Sequence, residues 1–338
     1  MRGWQVSFVE RALAVMREDL YSANGPFIIR PSMNKIIAGV LILLICGGVL
    51  YFIQSGDGAL PRAVVIKGSD TEVQLVSNLV EAFLEKNPDA NISVTGGGSG
   101  AGIAALINGE IDVANSSRSM KEEELRTAKN NGYAVREFVL ARDGLSVIVH
   151  SSSPIRTLTL EQVGKIYRGE ITDWKEAGGA PGKIILYGRQ STSGTYVFFR
   201  DTVLKDDYAK EMLNMEGSQA IVDGVAADTQ GIGYVGVGYA KDETGKARAD
   251  IGVLSIAKDS ASSAVSPLDK GKVLSGDYPI FRPIYQYLAA LPEKGSTLEA
   301  LLRFEVSTEG EEILEATGFY PLIAEDKAKN SAVLEALL

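Results

Sequence analysis

Four short stretches of the sequence place hydroxyl and glycine residues where a strand gives way to a helix or a sharp turn. They are "KGSDTEVQL" (Lys67 to Leu75), "TGGGSGAGI" (Thr95 to Ile103), "ANSSRSM" (Ala114 to Met120) and "GRQSTSGTY" (Gly188 to Tyr196). Helix N-termini carry unpaired N–H groups and a partial positive charge, so they hold anions without a charged side chain. Serine and threonine add short O–H donors, and glycine lets a ligand approach the backbone. Arg118 and Arg189 add planar forks that match the oxygens of an oxyanion. Taken singly, each feature has a plainer reading: Ser99 and Ser193 as helix caps, the two arginines as solvated surface charges. Four such loops with two arginines point to donors that converge on one small oxyanion.

The elements that must position these loops alternate. "AVVIKG", "NISVTG", "IDVANSS", "GLSVIVH" and "KIILYG" read as strands. Between them lie helical patterns: "EVQLVSNLVEAFLEKNP" with Val73, Val76, Val80, Phe83 and Leu84 on one face, and "SGAGIAALING" with Ile103, Leu106 and Ile107 inward. "SMKEEELRTAKNNG" opens on an expected capping box, Ser119 with Glu122; "TLEQVGKIYRGE" opens on another, Thr159 with Gln162. "TLEALLRFEVSTEGEEILEATGF" is an expected helix pair, and the tail after Leu322 a charged helix or frayed end. This is an α/β chain with a mostly parallel sheet expected, in which such turns gather at the carboxyl ends of the strands. Its length fits two lobes.

Composition narrows the chemistry. The formal net charge of −9 argues against sequence-independent nucleic-acid binding, which needs a basic face. One cysteine, Cys46, rules out an intramolecular disulfide; with His150 the only histidine, zinc, haem and histidine-dependent nucleophilic catalysis are disfavoured, and no cofactor is expected. "GIGYVG" (Gly231 to Gly236) satisfies G-x-G-x-x-G, but no strand precedes it and no amphipathic helix follows, so it reads as a glycine-rich core strand or turn.

"IIAGVLILLICGGVLYFI", Ile36 to Ile53, is uncharged and 18 residues long, the lower limit for a bilayer span. Lys35 and the arginines before it favour an N-terminus inside and the remainder outside. A cleaved signal peptide competes with a membrane anchor; Ile45 before Cys46 argues against a lipoprotein. Residues 1–32 are a mis-assigned start, with Met33 the true one, or a short cytoplasmic segment. Residues 33–54 form the anchor or signal, and 55–61 a linker.

"GSDT" (Gly68 to Thr71), "GGGSGAG", "SSRSMKEEEL", "TLEQVGKIYRGEITDW", "GRQSTSGTY" and "GIGYVGVGY" together, in order and spacing, resemble the phosphate-binding component of phosphate ABC importers, the PstS type. The resemblance runs from about Val64 to Leu322. It implies a two-lobed type II periplasmic-binding-protein fold that closes on inorganic phosphate and hands it to the transmembrane subunits of an ABC permease. It also implies that Thr71 and the Glu72 amide bind from the first loop and Ser99 from the second. Arg189, Ser193, the Gly194 amide and Thr195 bind from the fourth. In the third loop the enterobacterial branch has an aspartate that accepts the phosphate proton; here Ser117 takes that position, followed by Arg118. Asp70 is then the expected acceptor, with Asp112 a poorer candidate because it starts a strand. The Glu72 side chain, which would compete with an anion for the same amides, is expected to point outward. Trp174, Tyr196, Phe198 and Phe199 are expected to pack rather than stack on ligand. The expected lobes are 62–148 with 253–332, and 149–252, with crossovers near "VIVHS" and "VLSIA"; the chain is expected to act as a monomer. Sulfate or molybdate is the alternative ligand, and a phosphate sensor uncoupled from transport the alternative role. A serine-dependent phosphohydrolase, with Ser99 or Ser193 as nucleophile, lacks an evident base.

Overall fold

Strand and helix alternate from residue 64 onward in the computed structural model, which describes residues 63–242 and 244–336. The segments expected at 1–32, 33–54 and 55–61 lie outside the described residues. Within those residues no helix is long and apolar enough to cross a membrane.

The chain begins β1 (Val64–Gly68), α1 (Val73–Lys86), β2 (Ile92–Thr95), α2 (Ser99–Ile107), β3 (Val113–Ser116), α3 (Glu122–Asn130) and β4 (Arg136–Gly144). Leu145 alone separates β4 from β5 (Ser146–His150), followed by β6 (Thr157–Thr159) and α4 (Leu160–Tyr167). Next come β7 (Ile185–Arg189), α5 (Gly194–Phe199), β8 (Leu213–Met215), α6 (Gly217–Ala227), β9 (Gly231–Val235) and β10 (Ile251–Val253). The chain ends β11 (Ser255–Ala257), α7 (Lys270–Leu274), β12 (Phe281–Leu288), α8 (Thr297–Glu305), α9 (Thr308–Ala316) and α10 (Ala324–Glu335).

Two five-stranded sheets result, ordered β2-β1-β3-β12-β4 and β10-β5-β9-β7-β8, with a small β11-β6 pair. β2, β1 and β3 are parallel, as are β8, β7 and β9, because each pair is joined through a covering helix. β12 runs antiparallel to both β3 and β4, and β5 antiparallel to β9 and β10, so both sheets are mixed rather than mostly parallel. These reversed strands belong to the chain's two passages between the sheets. The first passage is at Gly144–Ser146. On the return, β11 pairs with β6, and Leu254, Ile256, Val273, Tyr278 and Ile280 join the core under the second sheet, so the first sheet is re-entered at Phe281.

The helices bury one face each. On α1 this face is Leu75, Val76, Leu79, Val80 and Phe83, packed with Val64, Ile66, Ile284 and Leu301. It is rotated from the expected stripe: Leu75 and Leu79 are inside, and Val73 and Leu84 sit at its edges. Burying such side chains contributes about 1.5–3 kcal/mol each. Ile103, Leu106 and Ile107 of α2 are buried as expected. The Thr159–Gln162 capping box forms on α4. The expected Ser119–Glu122 box does not: α3 starts two residues later, and the Glu124 carboxylate accepts from the Lys121 N–H at 2.7 Å. Glu124 is held there by Arg118, which explains the shift. β9, the "GIGYV" segment, is buried throughout.

One cross-strand pair stands out. Arg282 and Asp143 are register partners on β12 and β4, both fully buried, with Arg282 Nε and Nη2 at 3.0 and 2.8 Å from Asp143 Oδ2. Asp143 Oδ1 also accepts from the Val237 N–H at 2.8 Å, just beyond β9, so the pair joins the two sheets. Removing one member strands a buried charge. Asp143→Ala is expected to lower unfolding free energy by about 3–5 kcal/mol, whereas Asp143→Leu with Arg282→Met costs far less; urea titrations of both variants check this.

Candidate oxyanion site

The four hydroxyl-bearing turns meet between the two sheet-centred lobes. From the first lobe come Ser69 and Thr71 after β1, Ser99 at the start of α2, and Ser117 after β3; from the second comes Thr195 on α5. All five are buried. Thr71 Oγ1 and Thr195 Oγ1 lie 2.8 Å apart across the cleft, and Thr195 Oγ1 lies 3.5 Å from Ser117 Oγ. Ser117 Oγ is 2.5 Å from Ser69 Oγ and 3.4 Å from Ser99 Oγ. The loops come together because each turn ends a strand on the edge of its sheet that faces the other lobe.

The polarity of these hydroxyls is set by their other partners. Arg282 Nη2 reaches Thr195 Oγ1 at 3.0 Å, and a guanidinium only donates, so Thr195 accepts there and keeps its proton for another acceptor. Ser99 Oγ accepts from the Ser117 N–H at 3.1 Å, and Ser193 Oγ from the Tyr196 N–H at 3.4 Å. Three hydroxyls thus each spend an acceptor site on a donor-only group and retain an O–H to give. A tetrahedral oxyanion, rich in acceptor oxygens, is the complement of that arrangement.

Arg189 at the end of β7 is buried and faces Asp70 across the lobes in an ion pair; its Nη1 donates to Ser218 Oγ at 3.2 Å. Asp70 Oδ1 also accepts from the Gly97 N–H at 2.8 Å, so both carboxylate oxygens are engaged. Tyr239 Oη donates to the Asp70 carbonyl at 2.8 Å. Gly194 lies so close to α2 that an added Cβ would stand 2.4 Å from Ser99 Oγ, which is why this position carries glycine. Arg118 turns sideways and forms a two-pronged pair with Glu124 at 2.7 and 2.8 Å. Burial would raise the Glu124 carboxyl, but Arg118 and the Lys121 N–H hold it below the usual carboxylate range. Beside the hydroxyls a cavity of about 240 Å3 is lined by Ser117, Arg118, Lys121, Phe198, Arg282 and Tyr285.

Residues 55–309 match the family model of the PBP superfamily domain. The phosphate-binding protein PstS of Pseudomonas aeruginosa is 30% identical over 79% of this chain and 85% of its own length. The chain belongs to the PBP superfamily, and within it to the PstS family. The protein SphX of Synechococcus elongatus is 29% identical over 88% of each chain. A Clostridium perfringens protein, assigned as a phosphate ABC transporter substrate-binding protein and solved with bound phosphate, is 27% identical. Its superposition has a TM-score of 0.66 and covers 78% of this chain and all of that one. The two-lobed α/β architecture is the one this family shares.

One position departs from expectation. The Glu72 side chain does not point outward: it is fully buried, and neither carboxylate oxygen has a hydrogen-bond partner. The Glu72 amide donates to the Ser69 carbonyl at 3.3 Å. Burial pushes the Glu72 carboxyl well up, against opposing pulls from Ser69 and Arg282. Asp112, the poorer acceptor candidate, takes the Val65 N–H at 2.9 Å and so ties β1 to β3. Sequence reasoning missed Arg282, Asp143, Ser69, Ser218 and Tyr239. The available signal for Arg282 was a lone charge in the otherwise uncharged strand run "FRPIYQYL"; Asp143 stands among the charges of "REFVLARDG" and carried none. The aromatics pack as expected: Trp174 and Phe199 are buried, Phe199 stacks on Tyr234 at 4.1 Å, and Phe198 lies under the Arg282 guanidinium at 5.1 Å.

Behind the hydroxyls, Glu305 is buried against Gln286 of β12, and burial pushes its carboxyl up to about 8 from 4.5. The folded state therefore holds this proton between those pH values where the unfolded chain has released it. Stability from this group is full below 4.5 and falls as pH rises toward 8. Glu305→Gln should flatten that decline and raise the melting temperature most at the alkaline end, as read by thermal melts across the window. Gly194→Ala should force the lobes apart at Ser99, weakening ligand binding by roughly tenfold or more and enlarging the radius of gyration in solution scattering.

Proposed function

We propose that this chain is the extracytoplasmic receptor of a phosphate ABC importer, which captures inorganic phosphate between its lobes and delivers it to the permease. The observation that carries the reading is the set of six buried hydroxyls from both lobes, Ser69, Thr71, Ser99, Ser117, Ser193 and Thr195, of which Thr195, Ser99 and Ser193 are oriented to donate. The relatives support it, being named as phosphate-binding proteins or assigned to phosphate transport. Nothing in the reading calls for bond making; it is a binding and transport role rather than an enzymatic one.

In this reading Thr71, Ser99, Ser117, Ser193 and Thr195 bind phosphate oxygens through their hydroxyls. The Glu72 and Gly194 amides bind through N–H groups, and Arg189 closes over the anion from lobe two. Asp70 aims Arg189 and neutralises part of its charge. Arg118, beside the cavity, raises the local potential. An anion held from both lobes favours the closed arrangement, so opening and closing follow ligand occupancy. We carry the lobes forward as 62–148 with 253–332, and 149–252. Two adjustments are proposed: residues 146–148 and 253–280 move with lobe two, whose sheet and core they share. The apolar run at 33–54 tethers the receptor to the membrane, or is cleaved as a signal, and the receptor acts as a monomer.

Calorimetry on the purified protein, stripped of co-purified ligand, tests the reading with phosphate, arsenate, sulfate and molybdate. Heat with phosphate and arsenate is expected. Silence with phosphate but heat with sulfate or molybdate would reassign the ligand, and silence with all four would end the receptor reading. Asp70→Asn, which frees Arg189 from its partner, should weaken phosphate and sulfate alike by about ten- to a hundredfold, since hydrogen bonds to charged groups contribute about 1.5–3 kcal/mol.

A further inference from the structure

The cavity beside the hydroxyl cluster is larger than a bridging water needs. Its volume is about 240 Å3, room for a ligand of several heavy atoms. Of the hydroxyl cluster and the guanidinium that orients it, only Ser117 and Arg282 reach its wall. Both lobes build it. The first supplies the turn before α3 and the start of β12; the second supplies α5 and the helical turn that follows.

The walls are of two kinds. Val197, Phe198, Pro283 and Tyr285 present carbon. Arg118, Lys121 and Arg282 bring positive charge against a single carboxylate, Asp201, which Arg200 already pairs at 2.8 Å. An apolar pocket with a few charged groups is the ordinary form of a site for a small organic ligand, and the charges here call for an anion.

The unused donors narrow the choice. Arg282 has most of its N–H groups engaged, on Asp143, Thr195 and the Ser117 carbonyl. Arg118 is 8% exposed and gives Nη1 and Nη2 to Glu124, while its Nε–H is buried with no partner. Such a donor calls for an acceptor. Lys121, exposed at the rim, makes no ion pair among the described residues. Glu124 accepts the Lys121 main-chain N–H, but its carboxylate is committed to Arg118. Two spare donors over a carbon-walled space match the two oxygens of one carboxylate. A tetrahedral phosphate would instead leave oxygens against Phe198 and Val197, stripped of water and without donors.

We propose that this cavity is a second anion site, for a small organic carboxylate. Arg118 Nε and the Lys121 ammonium hold the carboxylate, and Phe198 and Tyr285 flank its carbon body. Because the walls come from both lobes, a bound carboxylate favours their closed arrangement and so tightens phosphate binding at the neighbouring cluster. The coupling rests on the phosphate-receptor reading; the site itself does not.

Benzoate is the probe, with benzamide as its neutral twin of the same shape and chloride holding ionic strength constant. Saturation-transfer NMR on the full chain should show strong contact with benzoate and weak contact with benzamide. Calorimetry should show phosphate binding tightened about fivefold by saturating benzoate, the low end of ordinary coupling between sites. Val197→Trp fills the cavity and should abolish both effects, while phosphate affinity in benzoate-free buffer stays as it was. Lys121→Glu, at an exposed position, should abolish them too, and it carries the test if Val197→Trp fails to fold. Benzoate contact no stronger than that of benzamide, or either benzoate effect persisting in Lys121→Glu, would overturn the proposal. So would benzoate that weakens phosphate binding in the wild type, since that places it in the hydroxyl cluster. A wild type that gives no heat with phosphate would refute the receptor reading, and the NMR comparison would still decide the second site.

Discussion

The buried pair between Arg282 and Asp143 is the constraint on which the site depends. It sits at matched positions of adjacent strands, β12 and β4, so the sheet fixes its geometry. Asp143 holds the guanidinium and also takes an N–H from the second lobe, at Val237. The guanidinium then has donors left over, and uses them on Thr195 Oγ1 and on the Ser117 carbonyl at 2.9 Å. Through these contacts one residue holds a hydroxyl of the second lobe and the main chain of a hydroxyl-bearing turn of the first. Either charge left alone at that depth is costly, and neither alone would orient Thr195.

The close approach of the lobes follows from small residues as much as from polar ones. Gly194 faces Ser99 with no room for a Cβ, and the Gly100 N–H donates to the Thr192 carbonyl at 2.9 Å across the same seam. Backbones that meet this closely bring short side chains into range of one another. Serine and threonine suffice there because no reach is needed, and short side chains lose little rotamer freedom when ordered.

Much of this was legible in the sequence, for identifiable reasons. Hydroxyls and glycines after apolar strands announced the turns, and Thr71, Ser99, Ser117 and Thr195 do meet. What periodicity cannot show is which way a residue outside the regular helix points. Glu72 precedes α1, so the helical stripe said nothing of its direction, and competition with an anion suggested the wrong one. Nor can local pattern pair residues separated by 139 positions, the distance in sequence from Asp143 to Arg282. The mixed sheets have the same origin: β12 arrives after the chain has built the second lobe, and its direction is set by that return.

An acidic chain that binds an anion is less paradoxical once its arginines are followed. Arg189 faces Asp70, Arg282 faces Asp143 and Arg118 faces Glu124, so the cations near the cleft are matched by carboxylates. Net attraction from formal charge is therefore small at short range. The pull on an oxyanion comes from directed O–H and N–H dipoles in a desolvated space, where each counts for more than it would in water. Such an arrangement also separates holding from choosing. Donors hold any tetrahedral oxyanion, and only a group that refuses a bare oxygen can tell one from another.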